Sequence, residues 1–311
     1  MNSPLKNSAK TVITCYDLLD VAPVGGVIDF TDGKYNDDPS TSYEQAQINQ
    51  VEYLLDEAKC EKGSTVLDLG CGYGKVLKRA GLRGASGVGI TISEFQVKRA
   101  HSMGLNVQLL DYKNIPESWS NTFDCIIANG SIEHFVQVKD ALDGKSDEIY
   151  AEMFKICHRI LKPKGRFVTT IMHDNSNIDP KQIVRGSYAF KRGTDNFHFA
   201  RVLLEDLGGW YPKKDQLEKC AKGKFELVKR EDGTQDYNYT AEGWLLSIRQ
   251  NLLTNPKVYW PIIVKIMRHG WRAISMLDTW VVAQSWEWHF RKRKDGTTPI
   301  RLYRDTWQKI K

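Results

Sequence analysis

The chain has 311 residues, of which 41% are hydrophobic and 26% charged, and its formal net charge is +6. This length suffices for one large domain with an elaboration. The mild positive charge is compatible with nucleic acid, anionic lipid or a phosphorylated substrate, and it selects none of them. The first ten residues lack the apolar run of a signal peptide, and the six cysteines lack metal-ligand spacing. We therefore expect a cytoplasmic protein with reduced thiols and no metal site.

Short apolar runs alternate with segments of helical spacing along the first two thirds of the chain. Strands are predicted at residues 65–69, 86–91, 106–110, 123–128, 167–172 and 225–228, and helices at 45–58, 74–80, 94–102, 150–161 and 213–221. A turn is predicted at 162–165, and a mostly helical tail follows the last strand. This alternation predicts an α/β fold with a parallel sheet and helices on both faces.

The stretch VLDLGCGYG, residues 66–74, places glycines directly after the first predicted strand. Asp68 ends the apolar run, and Gly70, Gly72 and Gly74 follow at alternate positions. Glycines there let the backbone approach a ligand closely. The spacing differs from the dinucleotide fingerprint G-x-G-x-x-G, so a pyrophosphate is disfavoured. An ordinary strand-to-helix turn is the alternative, and the strand before and helix after favour a binding loop.

Together with the later stretches GVGITISEFQVKRA, LLDYKNIP and IEHF, this motif resembles class I S-adenosylmethionine-dependent methyltransferases. More narrowly, residues 31–251 resemble the cyclopropane fatty acid synthase and coclaurine N-methyltransferase group. The resemblance implies a Rossmann-like doubly wound sheet with an N-terminal lid, and substrate elements in a helical insert and the C-terminal part. It also implies S-adenosyl-L-methionine as the cofactor.

The resemblance assigns cofactor contacts position by position. The second predicted strand ends without the acidic residue that usually holds the ribose, and T-I-S-x-x-Q replaces it. A hydroxyl and an amide can both reach ribose hydroxyls. The implied cofactor-binding set comprises Tyr35 as a lid, Asp68, Gly70, Gly72 and Gly74 at the methionine part, Thr91, Ile92 and Gln96 at the ribose, Asp111 and Tyr112 at the adenine, and Asn129.

Glu133, His134 and Tyr237 are the catalytic candidates that the resemblance implies. The glutamate is the acidic group of the active site in both kinds of enzyme. In the N-methyltransferases the histidine after it helps to deprotonate the amine, whereas in the cyclopropane synthases the glutamate helps to hold a bicarbonate base. A carboxylate and an imidazole are suitable acid–base groups near neutral pH. The alternative is that Glu133 caps a helix and His134 packs against it.

Two positions depart from the cyclopropane synthases. Gly33 stands where they have a cysteine, and Thr170 stands where they have a histidine, although Tyr237 matches their tyrosine. Both missing side chains hold bicarbonate in that group. We therefore predict a reaction that does not need bicarbonate.

The substrate side is predicted from the segments that the core does not explain. The polar stretch 173–198 follows the fifth predicted strand, where loops build substrate pockets. In the tail, apolar residues recur at helical spacing, and tryptophans and the basic run 291–294 accompany them; the recurring positions are Ile263, Met267, Trp271, Ile274 and Val281. A helical apolar face is more often core than binding surface. An apolar face beside a basic, tryptophan-rich segment also suits a lipid or prenyl substrate and peripheral contact with a membrane.

These observations predict five segments: an N-terminal lid (1–44), a cofactor-binding core (45–172), a substrate-pocket insert (173–212), the completion of the core sheet (213–255) and a helical tail (256–311). The predicted function is C-methylation of an unsaturated lipid-like or isoprenoid substrate. N-methylation of a small amine is the alternative. An RNA methyltransferase and a non-catalytic binding protein are weaker hypotheses, and without an RNA-binding module no nucleic acid partner is expected. The oligomeric state is left open.

Overall fold

One mixed sheet forms the centre of the computed structural model, which describes residues 8–19 and 30–310. Its strands are β1 (Thr65–Leu69), β2 (Ser86–Thr91), β3 (Val107–Leu109), β4 (Phe123–Asn129), β5 (Leu161–Asp174), β6 (Phe225–Asp232) and β7 (Ile300–Lys309). Their order is β3-β2-β1-β4-β5-β7-β6. Strands β1 to β5 pair in parallel, and β7 runs antiparallel to both β5 and β6. The strand order reverses between β1 and β4, which is where a doubly wound sheet binds ligands.

Helices cover both faces of the sheet. They are α1 (Ser8–Leu19), α2 (Tyr43–Glu57), α3 (Lys75–Leu82), α4 (Glu94–Ser102), α5 (Val138–Leu142), α6 (Ser146–Ile160), α7 (Pro180–Ile183), α8 (Asp195–Phe199), α9 (Gln216–Ala221), α10 (Thr234–Thr254), α11 (Tyr259–His269), α12 (Trp271–Leu277) and α13 (Ser285–Trp288). Helices α2 and α4 each have a serine N-cap, Ser42 and Ser93. Each serine side chain accepts a hydrogen bond from a backbone N–H of the first turn, which limits fraying of the helix.

The core follows the two-residue period of the strands. Val66 of β1 packs in a cluster with α2 and α3, whereas its neighbour Leu67 packs in the larger cluster with α6 on the other face. Phe167 and Val168 of β5 divide in the same way. Because successive side chains of a strand point to opposite faces, these continuous apolar runs are buried on both sides. The predicted α/β fold with helices on both faces is confirmed.

The C-terminal part differs from its prediction. Helices extend to Trp288, as expected, but the tail then ends in strand β7, and the sheet is mixed instead of parallel. The segment carries charged residues that sequence patterns place on a surface, yet Arg304 and Asp305 are fully buried. Their burial is stabilised by partners: Asp305 accepts two hydrogen bonds of 2.7 Å from Arg230.

A smaller difference concerns β5, whereas the cysteines agree with their prediction. Where the turn at 162–165 was predicted, β5 has already begun, and its register against β4 shifts between Phe123 and Cys125. Lys164 takes a positive φ of 64° at this irregularity. The six cysteines are all buried and unpaired, as expected of reduced thiols.

Across residues 8–19 and 30–310, no helix combines the length and the apolar character that crossing a membrane requires.

Candidate active site

A cavity of about 380 Å³ opens at the carboxyl ends of β1, β2 and β4, at the reversal of strand order. Loops that follow the parallel strands form one half of its lining. Helix α1, the segment before α2, the second half of the insert and the C-terminal helices form the other half. The two halves share one space, so a ligand held by the strand ends faces whatever binds on the helical side.

The glycine loop shapes the first half. Gly70 and Gly72 both line the cavity with positive φ values of 79° and 51°. A Cβ at Gly70 would lie 2.4 Å from the Cβ of Ser131, so no side chain is accommodated there. A Cβ at Gly72 would meet no described atom within 4 Å, which leaves the backbone open to a ligand. Gly74 is instead a structural glycine: it does not line the cavity, and its Cβ would strike Leu105.

The residues predicted for the ribose lie together. The Thr91 hydroxyl donates to Oε1 of Gln96 at 2.6 Å, and the backbone N–H of Ser93 donates to Thr91 Oγ1 at 3.2 Å. Thr91, Ile92 and Gln96 all line the cavity. This hydrogen bond fixes the Gln96 amide so that its nitrogen remains a donor for a ribose hydroxyl.

The residues predicted for the adenine follow β3. Asp111 and Tyr112 both line the cavity, and Asp111 accepts the backbone N–H of Lys113 at 3.0 Å. The Tyr112 ring stacks on Phe135, with centroids 4.1 Å apart. Phe135 lines the cavity as well, so a stacked aromatic pair borders this end of the cavity.

Asp68 and Asn129 lie at the opposite end of the cofactor half. Burial raises the pKa of Asp68 to about 7, and a cationic group bound beside it would offset this shift by stabilising the carboxylate. The side-chain amide of Gln50 donates from Nε2 to Asn129 Oδ1 at 3.1 Å and to Thr170 Oγ1 at 3.0 Å. A buried carboxylate, an open glycine backbone and oriented ribose ligands fit S-adenosyl-L-methionine, whose ammonium, backbone-facing methionine part and ribose need these three features.

Glu133 lines the cavity and belongs to the loop that follows β4. Its Oε1 accepts the backbone N–H of Met172 at 2.9 Å, whereas its buried Oε2 has no hydrogen-bond partner among the described residues. Burial is the largest cause that raises the pKa of Glu133 to about 7, and repulsion from Asp32 adds to it. The carboxylate is held by a strand of the core and does not cap a helix. A group poised to change protonation near neutral pH suits acid–base chemistry.

His134 has both ring nitrogens engaged. Nδ1 lies 2.9 Å from the carbonyl oxygen of Gly208, and Nε2 lies 2.9 Å from the hydroxyl of Tyr16. Nδ1 therefore carries the proton, and Nε2 accepts from Tyr16. Burial lowers the pKa of His134 to about 4, which keeps the ring neutral. This geometry disfavours His134 as a proton acceptor and makes it a link between α1 and the Gly208 loop.

Tyr237 belongs to an aromatic wall on the substrate side. Its ring lies 4.5 Å from Phe290 and 5.9 Å from Trp244, and burial raises its pKa well above the ordinary value. The aromatic residues that line the cavity on this side are Tyr16, Phe30, Tyr211, Tyr237, Trp244, Trp280 and Trp286. Tyr237 was predicted for the site, and Trp280 and Trp286 were noted only as tryptophans of a tail that suits a lipid substrate. The other members of the wall were not predicted, because they lie far apart along the chain.

The segment before α2 contributes a second carboxylate. Asp32 is 3% exposed, lines the cavity, and has an Oδ2 without a hydrogen-bond partner among the described residues. Burial raises the pKa of Asp32 to about 6, although Arg304 opposes the shift. Arg304 lies fully buried below and donates to the Gly33 carbonyl at 3.1 Å and to Asp236 at 2.8 Å. Asp32 was not predicted for the site, because its local signal is only an acid three residues before the expected lid residue Tyr35.

Tyr35, predicted as a lid residue, does not line the cavity. Its backbone N–H donates to Asp236, and its ring packs edge-on against Tyr239. Residues 1–7 and 20–29 of the predicted N-terminal lid lie outside the described residues.

The insert also differs from expectation, because its apolar second half lines the cavity while Tyr188 is 79% exposed. The insert's lining residues are Val202, Leu203, Leu207, Gly208, Gly209 and Tyr211.

The reversed strand order, the open glycine loop and the clustering of the residues predicted for the ribose define a class I S-adenosyl-L-methionine-dependent methyltransferase. The sequence model of the mycolic acid cyclopropane synthetase family matches residues 30–265. The chain belongs to this family, and it is an enzyme that uses S-adenosyl-L-methionine.

Individual relatives agree with this assignment. Cyclopropane mycolic acid synthase 1 of Mycobacterium tuberculosis is 26% identical over 220 residues, which cover 67% of this chain and 70% of the relative. Mycolic acid cyclopropane synthase CmaA1, solved with SAH and CTAB, has a TM-score of 0.71 at 20% identity, with 96% of this chain and 97% of that chain covered. Coclaurine N-methyltransferase has a TM-score of 0.69 at 14% identity, with coverages of 97% and 87%. At these identities the two solved structures support the fold.

Proposed function

We propose that the enzyme transfers a methyl group to a carbon of an unsaturated lipid-like or isoprenoid substrate. The observation that carries this proposal is the buried, unpartnered Oε2 of Glu133, a residue that lines an aromatic-walled cavity continuous with the cofactor residues. Two of the three predicted catalytic residues, Glu133 and Tyr237, serve this reaction directly, and His134 serves it by positioning Tyr16.

The chemistry requires a cation to be stabilised. When bound, S-adenosyl-L-methionine supplies an electrophilic methyl group. Methylation of one alkene carbon leaves a positive charge on the other. Loss of a proton from a carbon next to the cation restores a neutral alkene, whereas loss of a proton from the transferred methyl group closes a cyclopropane ring. Aromatic faces such as Tyr237 and Trp286 stabilise a cation by about 0.5–2 kcal/mol each. The Glu133 carboxylate attracts the charge and accepts the proton, becoming the neutral acid that burial favours.

The apolar lining and the relatives support a lipid-like substrate. Trp244, Trp280, Leu203 and Leu207 line the substrate half, where few polar groups could hold a sugar or nucleotide. The curated relatives are named cyclopropane mycolic acid synthases, and one solved neighbour is a geranyl diphosphate C-methyltransferase with a TM-score of 0.59 and 14% identity.

Mass spectrometry of products tests the proposal. The enzyme is incubated with S-adenosyl-L-methionine that carries a deuterated methyl group, in separate panels of unsaturated phospholipids, free unsaturated acids, prenyl diphosphates and amines. We expect a labelled product with a new carbon–methyl bond in one of the first three panels. Label on nitrogen alone would contradict C-methylation.

N-methylation of an amine is the second candidate, and Asp32 is the observation that favours it. Two buried carboxylates in one cavity, Asp32 and Glu133, would hold an ammonium or take its proton. The amine panel is therefore repeated with Asp32→Asn. If an amine is the substrate, this variant raises its KM at least tenfold; an unchanged KM excludes Asp32 from binding it.

A further inference from the structure

Helix α11 exposes an apolar stripe on its outer side. No residue of α11 is buried, and Trp260, Ile263, Val264 and Met267 follow the i, i+3, i+4, i+7 spacing of one helical face. Trp260 and Met267 are 67% and 68% exposed. The sequence favoured a core role for the recurring apolar residues of this region, and for α11 and the start of α12 that expectation is wrong.

The two neighbouring helices also carry exposed apolar side chains. We call it the α10–α12 face, and its members are Leu246, Leu253, Trp260, Ile263, Val264, Met267, Trp271 and Ile274, all more than one third exposed. Single exposed apolar residues are ordinary, but an extended set on adjoining helices indicates a binding surface.

The charged residues of the segment that carries this face are all basic. Residues 243–277 contain no aspartate or glutamate and five lysines or arginines. Lys257 is exposed, and the side chain of Arg268 is 68% exposed although it lies 3.9 Å from Asp17 of α1, which also pairs with Lys265 at 2.9 Å. Apolar side chains with tryptophan, flanked by lysine and arginine, are typical of helices that lie in the interface of an anionic membrane.

An apolar groove lies on the inner side of the same helices. It has a volume of about 110 Å³, and its lining includes Leu18 of α1, Ile248 of α10 and Ile262 of α11. Leu19 and Trp280 line both this groove and the cavity of the active site. The groove therefore borders the reaction cavity and extends toward the helices that bear the exposed face.

We propose that the α10–α12 face docks on a bilayer with anionic headgroups and that the groove guides an acyl or prenyl chain from it to the active site. The second part rests on the proposed function, and docking itself does not. A second copy of the chain fits this surface less well, because two such faces would bring like charges together without acidic residues between them.

Vesicle co-sedimentation without cofactor tests the docking. The full chain is mixed with phosphatidylcholine vesicles that contain either no anionic lipid or about one third phosphatidylglycerol. We expect the full chain to bind the anionic vesicles. This binding should weaken as the sodium chloride concentration rises, because salt screens the attraction of Lys257 and Arg268 to the anionic headgroups. The double variant Trp260→Ser/Met267→Ser should bind at least tenfold more weakly. The matched control, Leu82→Ser/Leu109→Ser, removes two leucines that are 71% and 52% exposed elsewhere and should bind like wild type.

Each other outcome overturns the docking proposal. These are absence of wild-type binding, equal loss in both double variants, and equal binding of Trp260→Ser/Met267→Ser and wild type. Light scattering that shows a dimer lost only in Trp260→Ser/Met267→Ser, without vesicle binding, would assign the face to a second copy. Turnover on dispersed short-chain substrate is measured in parallel. Docking without turnover refutes the proposed function alone, and turnover without docking refutes only the membrane surface.

Discussion

Replacing Glu133 with glutamine separates chemistry from folding at the centre of the site. The amide keeps the shape of the side chain and can still accept the Met172 N–H, but it has no charge and takes no proton. If Glu133 stabilises a cation or removes a proton, we expect turnover to fall by about a hundredfold or more, the range for a positioned acid–base group. In wild type, kcat/KM should rise with pH through about 7, as the carboxyl group of the free enzyme ionises, and the variant should lack this step.

The raised pKa also predicts an effect on stability. Burial raises the pKa of Glu133 from its ordinary 4.5 to about 7, so the native state favours the neutral acid more than the unfolded state does. This stabilisation is complete below pH 4.5 and is lost as pH rises through 7. At about 1.4 kcal/mol per pKa unit, the total is about 3 kcal/mol, of which about 2 kcal/mol falls between pH 5.5 and 8. Because glutamine stays neutral, the variant should gain that amount relative to wild type over this range.

Steady-state rates and urea titrations at pH 5.5 and 8 measure both effects. Glu226→Gln, which changes an exposed glutamate of β6, is the matched control and should alter neither quantity. Cofactor affinity, measured by calorimetry, should hardly change in Glu133→Gln. Near-normal turnover would refute the catalytic assignment. A difference in unfolding free energy that is the same at both pH values would refute the burial of an ionisable carboxylate.

Three further predictions concern the cofactor, the base and α1. Wild type should bind S-adenosylhomocysteine in titration calorimetry, and Gly72→Val should release no measurable heat, because a side chain there is strained at φ 51° and enters the cavity; equal binding would contradict the cofactor site. Turnover should be the same in degassed buffer with and without bicarbonate, since Gly33 and Thr170 replace its ligands; a loss restored by bicarbonate would disprove this. Tyr16→Phe should lower the free energy of unfolding by about 1 kcal/mol in urea titrations, because Nε2 of His134 loses its donor; unchanged stability would argue against that hydrogen bond.

The cofactor half of the site could be predicted from the sequence because its signals are local. An apolar strand, three spaced glycines and the start of α3 are adjacent in the chain, Ser93 caps α4 directly after β2, and each of these signals restricts the backbone within a few residues. The parallel strands then bring such loops to one edge of the sheet, so Asp68, Thr91, Asp111 and Asn129 meet without further information. Tyr35 and Gly74 show the limit of this reasoning, since both lie in the expected motifs but outside the cavity lining.

The substrate half was decided by tertiary structure. Asp32, Tyr16 and Trp286 come from distant segments, and no spacing along the chain shows that they share a cavity. Strand β7 escaped prediction because its buried charges are stabilised by partners such as Arg230.

The apolar positions of α11 illustrate the same division in reverse. Their spacing determined a helix with an apolar face, but only the packed structure decided that this face points to solvent. The periodicity of the sequence indicates that one side of a helix is apolar. Whether the protein core or another molecule covers that side depends on how the whole chain packs.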